Sequence, residues 1–232
     1  PWDPMPFARL EAHHRIRLGK MVHPVRGLLN GAAAVGFLVA GALLVWLSPG
    51  DMARRISLAA FALSLIALYT VSALYHSVPW SERWKLRMRR LDHSMIYVLI
   101  AGTYTPIAFI ALDGWLRWAT LAVQWSIALA GIAHKTLRRR PHNAFSIPLQ
   151  VVQGWLAVLL ILPLAQVLPP GAIALMGVGG LLYTVGMVFV VTGWPRLWPR
   201  AFSYHEVFHV FVVAASAAHF AVVFGWVAPL GQ

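Results

Sequence analysis

Two histidines four residues apart, His205 and His209, stand at the head of an almost unbroken apolar run, Tyr204–Trp226. Residues four apart stack on one face of a helix, so two imidazoles so placed can grip one metal ion. Polar side chains at membrane depth are costly and usually functional. A third histidine, His76, closes another apolar run in Tyr75-His76-Ser77, and Asp92 opens the next in Leu91-Asp92-His93-Ser94. Three imidazoles and one open position form the donor set of a catalytic zinc site. The chain has no cysteine, which excludes thiolate sites and disulfides. Imidazole suits zinc, although other first-row metals also accept it. Water held by such an ion ionises near neutral pH and becomes a nucleophile. In that chemistry Asp92 would hold the water or act as general base. Ser72, one turn before His76 on the same face, would donate to a ligand, to the water or to a substrate oxyanion.

Each residue also has a plainer reading. A single histidine at a helix end is most often interfacial, so His76 gains weight only beside the His205/His209 pair. Asp92 at the start of a helix would suit the positive end of the helix dipole. Ser72 alone is more often structural than catalytic. His93 points about 100° away from Asp92 around a helix and reads as interfacial or as support for the site. His219 lies roughly 15 Å beyond His209 along the helix, too far to share an ion, and reads as a packed polar contact. His134 and His142 fall in or beside a basic loop and read as solvated, as do His13, His14 and His23 near the N-terminus. The letters His205-Glu206-Val207-Phe208-His209 also spell H-E-x-x-H, the zinc-protease signature with glutamate as base. No well-placed ligand follows it, so any third ligand must come from upstream. Glu206 then reads as an interfacial carboxylate or as the partner of a loop arginine.

The elements that must position these groups are membrane helices. The 232 residues are 59% hydrophobic and 11% charged, with mean hydropathy +0.69, against about 25% charged in soluble domains. Seven apolar runs, about 27–48, 54–78, 92–112, 116–134, 148–168, 171–193 and 204–227, are each near the ~20 residues that span a bilayer. The expected fold is all-α, with seven transmembrane helices. Two segments divide the chain: a basic surface segment, 1–26, and a helical domain, 27–232. The first and sixth runs are rich in Gly and Ala, which permits close helix contact. Sixteen of the nineteen Lys and Arg fall in the segments before the first run and after the second, fourth and sixth. Only Arg54, Arg55 and Arg117 lie on the other side. Lys/Arg excess marks the cytoplasmic face, so the N-terminus is expected inside and the C-terminus outside. The net charge of +12 is then a topology signal with some attraction to anionic lipid, not a nucleic-acid footprint. On this topology the cytoplasmic helix ends bring His76, Asp92, His205 and His209 to one depth. Pro106 inside the third run either packs or bends the helix to open a cavity beneath the metal.

Taken together, Ser72-x-x-x-His76, Asp92, Ala101-Gly-Thr-Tyr-Thr-Pro106 and His205-x-x-x-His209 resemble the hemolysin III family. That family is the bacterial branch of the progestin and adiponectin receptor (PAQR) superfamily, itself grouped with alkaline ceramidases. The resemblance covers essentially all seven helices. It implies a multi-pass protein of the inner (plasma) membrane. It also implies zinc held by His76, His205 and His209, with Asp92 and Ser72 beside it. It suggests hydrolysis of a lipid amide or ester, with membrane lipid as substrate and fatty acid as product. The alternative it carries is a non-enzymatic sensor, homeostasis or cytolytic pore-forming protein with structural zinc. One departure stands out: where many members carry an acidic residue and Thr-His-Gly in the first helix, this chain reads Arg26-Gly-Leu-Leu-Asn30-Gly31. Asn30 in place of that histidine changes one contact near the site.

Overall fold

The computed structural model describes residues 21–137, 143–198 and 201–231. Seven helices in it are long and apolar enough to cross a membrane. They are α1 (Pro24–Leu47), α2 (Met52–Ser77), α3 (Glu82–Ala111), α4 (Gly114–Leu137), α5, α6 (Pro170–Thr192) and α7 (Tyr204–Val222). The fifth span, α5, starts as Asn143–Trp155, tightens to a 3-10 turn at Leu156–Leu160 and ends as Ile161–Ala165. A π-helical turn, Val223–Val227, prolongs α7. No strand occurs among the described residues.

The largest departure from expectation is the start of α3. The apolar run begins at Asp92, but the helix begins ten residues earlier, capped at Ser81. Arg83, Lys85, Arg87 and their neighbours Leu86 and Met88 are good helix formers. They prolong the helix, while their charge hides it from an apolar-run reading. Asp92 is therefore three turns inside α3. The dipole field fades within the first turn, so the helix-start reading of Asp92 fails.

Small residues decide which helices meet. A Cβ on Gly41 of α1 would lie 2.8 Å from the Ala62 side chain of α2. One on Gly102 of α3 would collide with Ser64 of α2. One on Gly186 of α6 would reach Phe211 of α7 at 3.0 Å. Backbones can thus approach closely, which is how helices associate where lipid removes the hydrophobic drive. The core lies along α2 and α3, around Leu58, Phe61, Leu65, Tyr69, Leu99 and Leu112, with Leu44 from α1 and Val222 and Val223 from the end of α7. At the end remote from the histidines, Arg54 donates to the carbonyls of Val227, Ala228 and Leu230. Arg117 donates to Leu112 O and to Asp113. Two of the three basic residues at that end therefore serve chain ends and turns. Pro106 is buried in α3 among packed side chains and does not line the cavity described below, whereas Thr103, Tyr104 and Ile107 do.

α4 and α5 are joined by polar pairs. Gln124 and Gln153, both fully buried, donate to each other's backbone carbonyls at 3.2 Å. Tyr97 and Tyr104 of α3 donate to Ser146 O and Gly154 O of α5 at 2.9 and 2.7 Å. His134 is half-buried within α4, its ring 4.8 Å from that of Phe145, not solvated in a loop. The helix runs on to Leu137 and carries it against α5. His13, His14, His142 and most of the basic N-terminal segment lie outside the described residues.

Candidate metal centre

The end of α2 and the first turns of α7 meet. His76, His205 and His209 each offer one ring nitrogen, and these atoms lie within 4.8 Å of one another. The ring centroids are 5.3 Å apart for His76–His205 and 5.0 Å for His76–His209 and for His205–His209. An ion with zinc–nitrogen bonds of ~2.0–2.1 Å needs donors about 3.4 Å apart, so closing on it takes rotations of about an ångström. The electrostatic fit is direct. His76 and His209 are buried, yet among the described residues neither nitrogen of His76 nor Nε2 of His209 has a hydrogen-bond partner. Buried polar atoms are almost always paired, and leaving one bare is expensive. A cation at the centre of the cluster would engage one nitrogen of each imidazole.

Other side chains hold the cluster. Arg26 of α1 is buried and its Nε lies 2.6 Å from Glu206 Oε1. Glu206 Oε2 also accepts from the Ser203 backbone N–H at 2.9 Å, capping α7. Both carboxylate oxygens are thus engaged away from the imidazoles, so the H-E-x-x-H protease reading has no general base. Arg26 is no surface cation either: it locks α1 against the turn that presents His205 and His209. The Asn30 amide of α1 donates to Arg26 O at 2.8 Å and lies 3.2 Å from His209 Nδ1. It touches the imidazole on the side away from Nε2 and so fixes the ring's orientation; for Nε2 to bind a metal, Nδ1 must carry the ring proton, and the amide would turn its accepting oxygen to that nitrogen. The departure noted in the first helix therefore falls on a residue that contacts a candidate ligand.

His23, expected to be solvated, is half-buried at the start of α1 with its ring 5.9 Å from that of His76. Its backbone N–H donates to His76 O at 2.9 Å, which ties the entry of α1 to the end of α2. The spacing of α1 and α2 along the chain carried no sign of this contact. Arg26 and Glu206 did leave a faint signal, as opposite charges at the heads of two apolar runs.

Asp92 and Ser72 come together as expected: the serine hydroxyl is near enough to the carboxylate to donate to it. Both line a cavity of about 240 Å³, together with Asn30 and His209. From this polar mouth the cavity runs between α2, α3, α5, α6 and α7 over Leu68, Ile96, Leu99, Leu164, Met176 and Val212. Trp155, Val158 and Ile161 of α5 line it and remain 41%, 49% and 42% exposed, so that wall is one side chain thick. Trp155 Nε1 donates to Thr184 Oγ1 of α6 across it at 3.1 Å. His219 also lines the cavity, far from the cluster, and its Nδ1 donates to Ala215 O at 2.9 Å, in keeping with a packed polar contact. His93 offers its backbone carbonyl to Gln150 at 3.4 Å.

A family profile described as "Haemolysin-III related" matches residues 23–220. The chain is 36% identical to Hemolysin-3 of Bacillus cereus over 180 residues, 78% of this chain and 79% of that one. It is 36% identical to a hemolysin-3 homolog of Bacillus subtilis over 194 residues, 84% of this chain and 86% of the relative. A more distant likeness, 25% over 223 residues, joins it to the human monocyte to macrophage differentiation factor, covering 91% and 87% of the two chains.

Proposed function

From the premise that this chain belongs to the haemolysin-III related family of multi-pass membrane proteins, we propose that it is a zinc-dependent hydrolase of a lipid amide or ester. One observation carries this reading: His209, Asp92 and Ser72 open onto a single, mainly apolar cavity at the cluster of three imidazoles. His76, His205 and His209 would hold the zinc, which when bound supplies Lewis acidity and a water nucleophilic near neutral pH. The chain's own groups do the rest. The cavity takes an acyl chain, places its carbonyl at the polar mouth and excludes bulk water. Asp92 accepts the proton of the attacking water. As the carbonyl–nitrogen or carbonyl–oxygen bond breaks, the same carboxyl returns that proton to the leaving amine or alcohol. Ser72 keeps the carboxylate aimed by donating to it. Asn30 and the Arg26–Glu206 pair hold α7 so that its imidazoles keep their geometry. The products are a fatty acid and the released head.

The test is fatty-acid release from ceramide-like lipids by the purified, zinc-loaded protein. Asp92→Ala should lower the rate by about 10²–10⁴-fold, the usual worth of a general acid–base group, while metal content stays the same. Equal rates in the two proteins would defeat the mechanism. Zinc bound with no hydrolysis of any lipid by the wild type would instead favour a sensor, homeostasis or pore-forming role, in which the ion only ties α2 to α7.

A further inference from the structure

The cavity has a second polar end that the proposed hydrolysis does not use. Deep in the bundle, Tyr69 of α2 and Tyr183 of α6 both reach Ser216 Oγ of α7 at 2.7 Å. Tyr69 also reaches Val212 O at 3.1 Å. Three hydroxyls share three protons over these three contacts. Tyr69 donates its single proton to Ser216 Oγ or to the Val212 carbonyl, while either oxygen of the Ser216–Tyr183 pair can be that contact's donor. Tyr183 lines the cavity, and its hydroxyl offers a lone pair when it donates to Ser216 and a proton when it accepts. His219 lies beside it, its ring 5.7 Å from that of Tyr183. A carbonyl only accepts, so the Nδ1 contact with Ala215 O puts the imidazole proton on Nδ1. Nε2 is left as an acceptor, with no hydrogen bond to it among the described residues. The ring packs against Gly179 of α6, where any Cβ would overlap its Cε1 and Nδ1. This end is therefore built: a glycine makes room for the imidazole, and two lining residues, His219 and Tyr183, bring an acceptor nitrogen and a hydroxyl to an otherwise apolar space.

We propose that this end of the cavity is a hydroxyl-binding subsite for the far end of an acyl chain. The inference rests on the reading of the cavity as an acyl site and specifies its substrate class. An acceptor nitrogen beside a hydroxyl calls for a group that can donate and accept. A hydroxyl can donate to His219 Nε2 while meeting the Tyr183 network in either proton order, whereas a keto oxygen has nothing to offer Nε2. Ten residues of α7 separate His209 from His219, or roughly 15 Å at 1.5 Å each. An extended chain advances about 1.25 Å per carbon, so the hydroxyl belongs about ten to twelve carbons from the carbonyl.

The probes are 12-hydroxydodecanoic acid and dodecanoic acid, titrated into the purified protein in one detergent. Wild type should bind the hydroxylated acid about tenfold more tightly, as one or two added hydrogen bonds give. Tyr183→Phe with His219→Leu should bring the two acids within about twofold while leaving dodecanoic acid affinity and metal content unchanged. Comparing the ratio in wild type and variant cancels detergent partition. Because the deep end is polar, Gly179→Ala alone provides a second variant, displacing the His219 ring without removing a donor or acceptor, and should also reduce the ratio. Equal affinities in the wild type, or a preference that survives both variants, overturn the subsite. If hydrolysis is intact in that case, the lipid hydrolase reading stands without it. If neither acid binds, the acyl site falls together with the subsite.

Discussion

The two polar ends of the cavity differ in how their atoms are satisfied. At the end formed by α2 and α7, three ring nitrogens of His76 and His209 are buried with no hydrogen-bond partner among the described residues. At the deep end, the hydroxyls of Tyr69, Ser216 and Tyr183 are bonded to one another. The first arrangement is costly unless a cation fills it; the second is content when empty. The histidine end should therefore couple metal binding strongly to stability, and a ligand at the deep end should matter mainly for selectivity.

The sharpest way to break this contrast is His205→Ala. Wild type should carry about one zinc per chain and the variant essentially none, read by elemental analysis. A chelator should lower the thermal midpoint of wild type and leave the variant unmoved; at metal a thousandfold above Kd the difference is about 4 kcal/mol. Next comes Arg26→Ala, which strips a buried carboxylate of its cation and should destabilise the protein by about 3–5 kcal/mol. Replacing Arg26 and Glu206 together by methionine should recover much of that loss, which denaturant titration can follow. Asn30→Leu removes the contact that orients His209 and should weaken zinc about 10–100-fold with little change in fold; competition against a calibrated chelator measures it. The smallest effect belongs to the deep end: Ser216→Ala should cost about 1–2 kcal/mol, since Tyr183 loses its bond to Ser216 while Tyr69 keeps the Val212 carbonyl. Zinc affinity should not change. A zinc effect there as large as that of Asn30→Leu would show that the two ends are one coupled unit.

How much of this could be read along the chain follows from what each signal depends on. Seven spans were legible because hydrocarbon thickness imposes a run length, and the observed helices match the expected runs to within a few residues at most ends. α3 was the exception, since the bilayer constrains only the apolar part of a helix and its basic first turns obey helix propensity instead. The His205–His209 pair was legible from helical periodicity. His76, Asp92 and Ser72 were placed beside it by depth, and the structure brings all five to one end of the bundle. His23, Arg26 and Asn30 were misjudged or left open, because depth says nothing about rotation around a helix axis.

The sequence by itself determined the solvent, the number of spans and the presence of three imidazoles at matching depth, since these depend on composition and on spacing within single helices. Only the tertiary structure decided which faces look at one another. It turned Glu206 towards Arg26 and away from the histidines, set Asn30 against His209, and gathered Tyr69, Tyr183, Ser216 and His219 from three helices into one cluster. The reason is physical: helix rotation and neighbour choice are set by close packing at a few glycines and by buried polar pairs between distant segments, and no local pattern encodes those pairings.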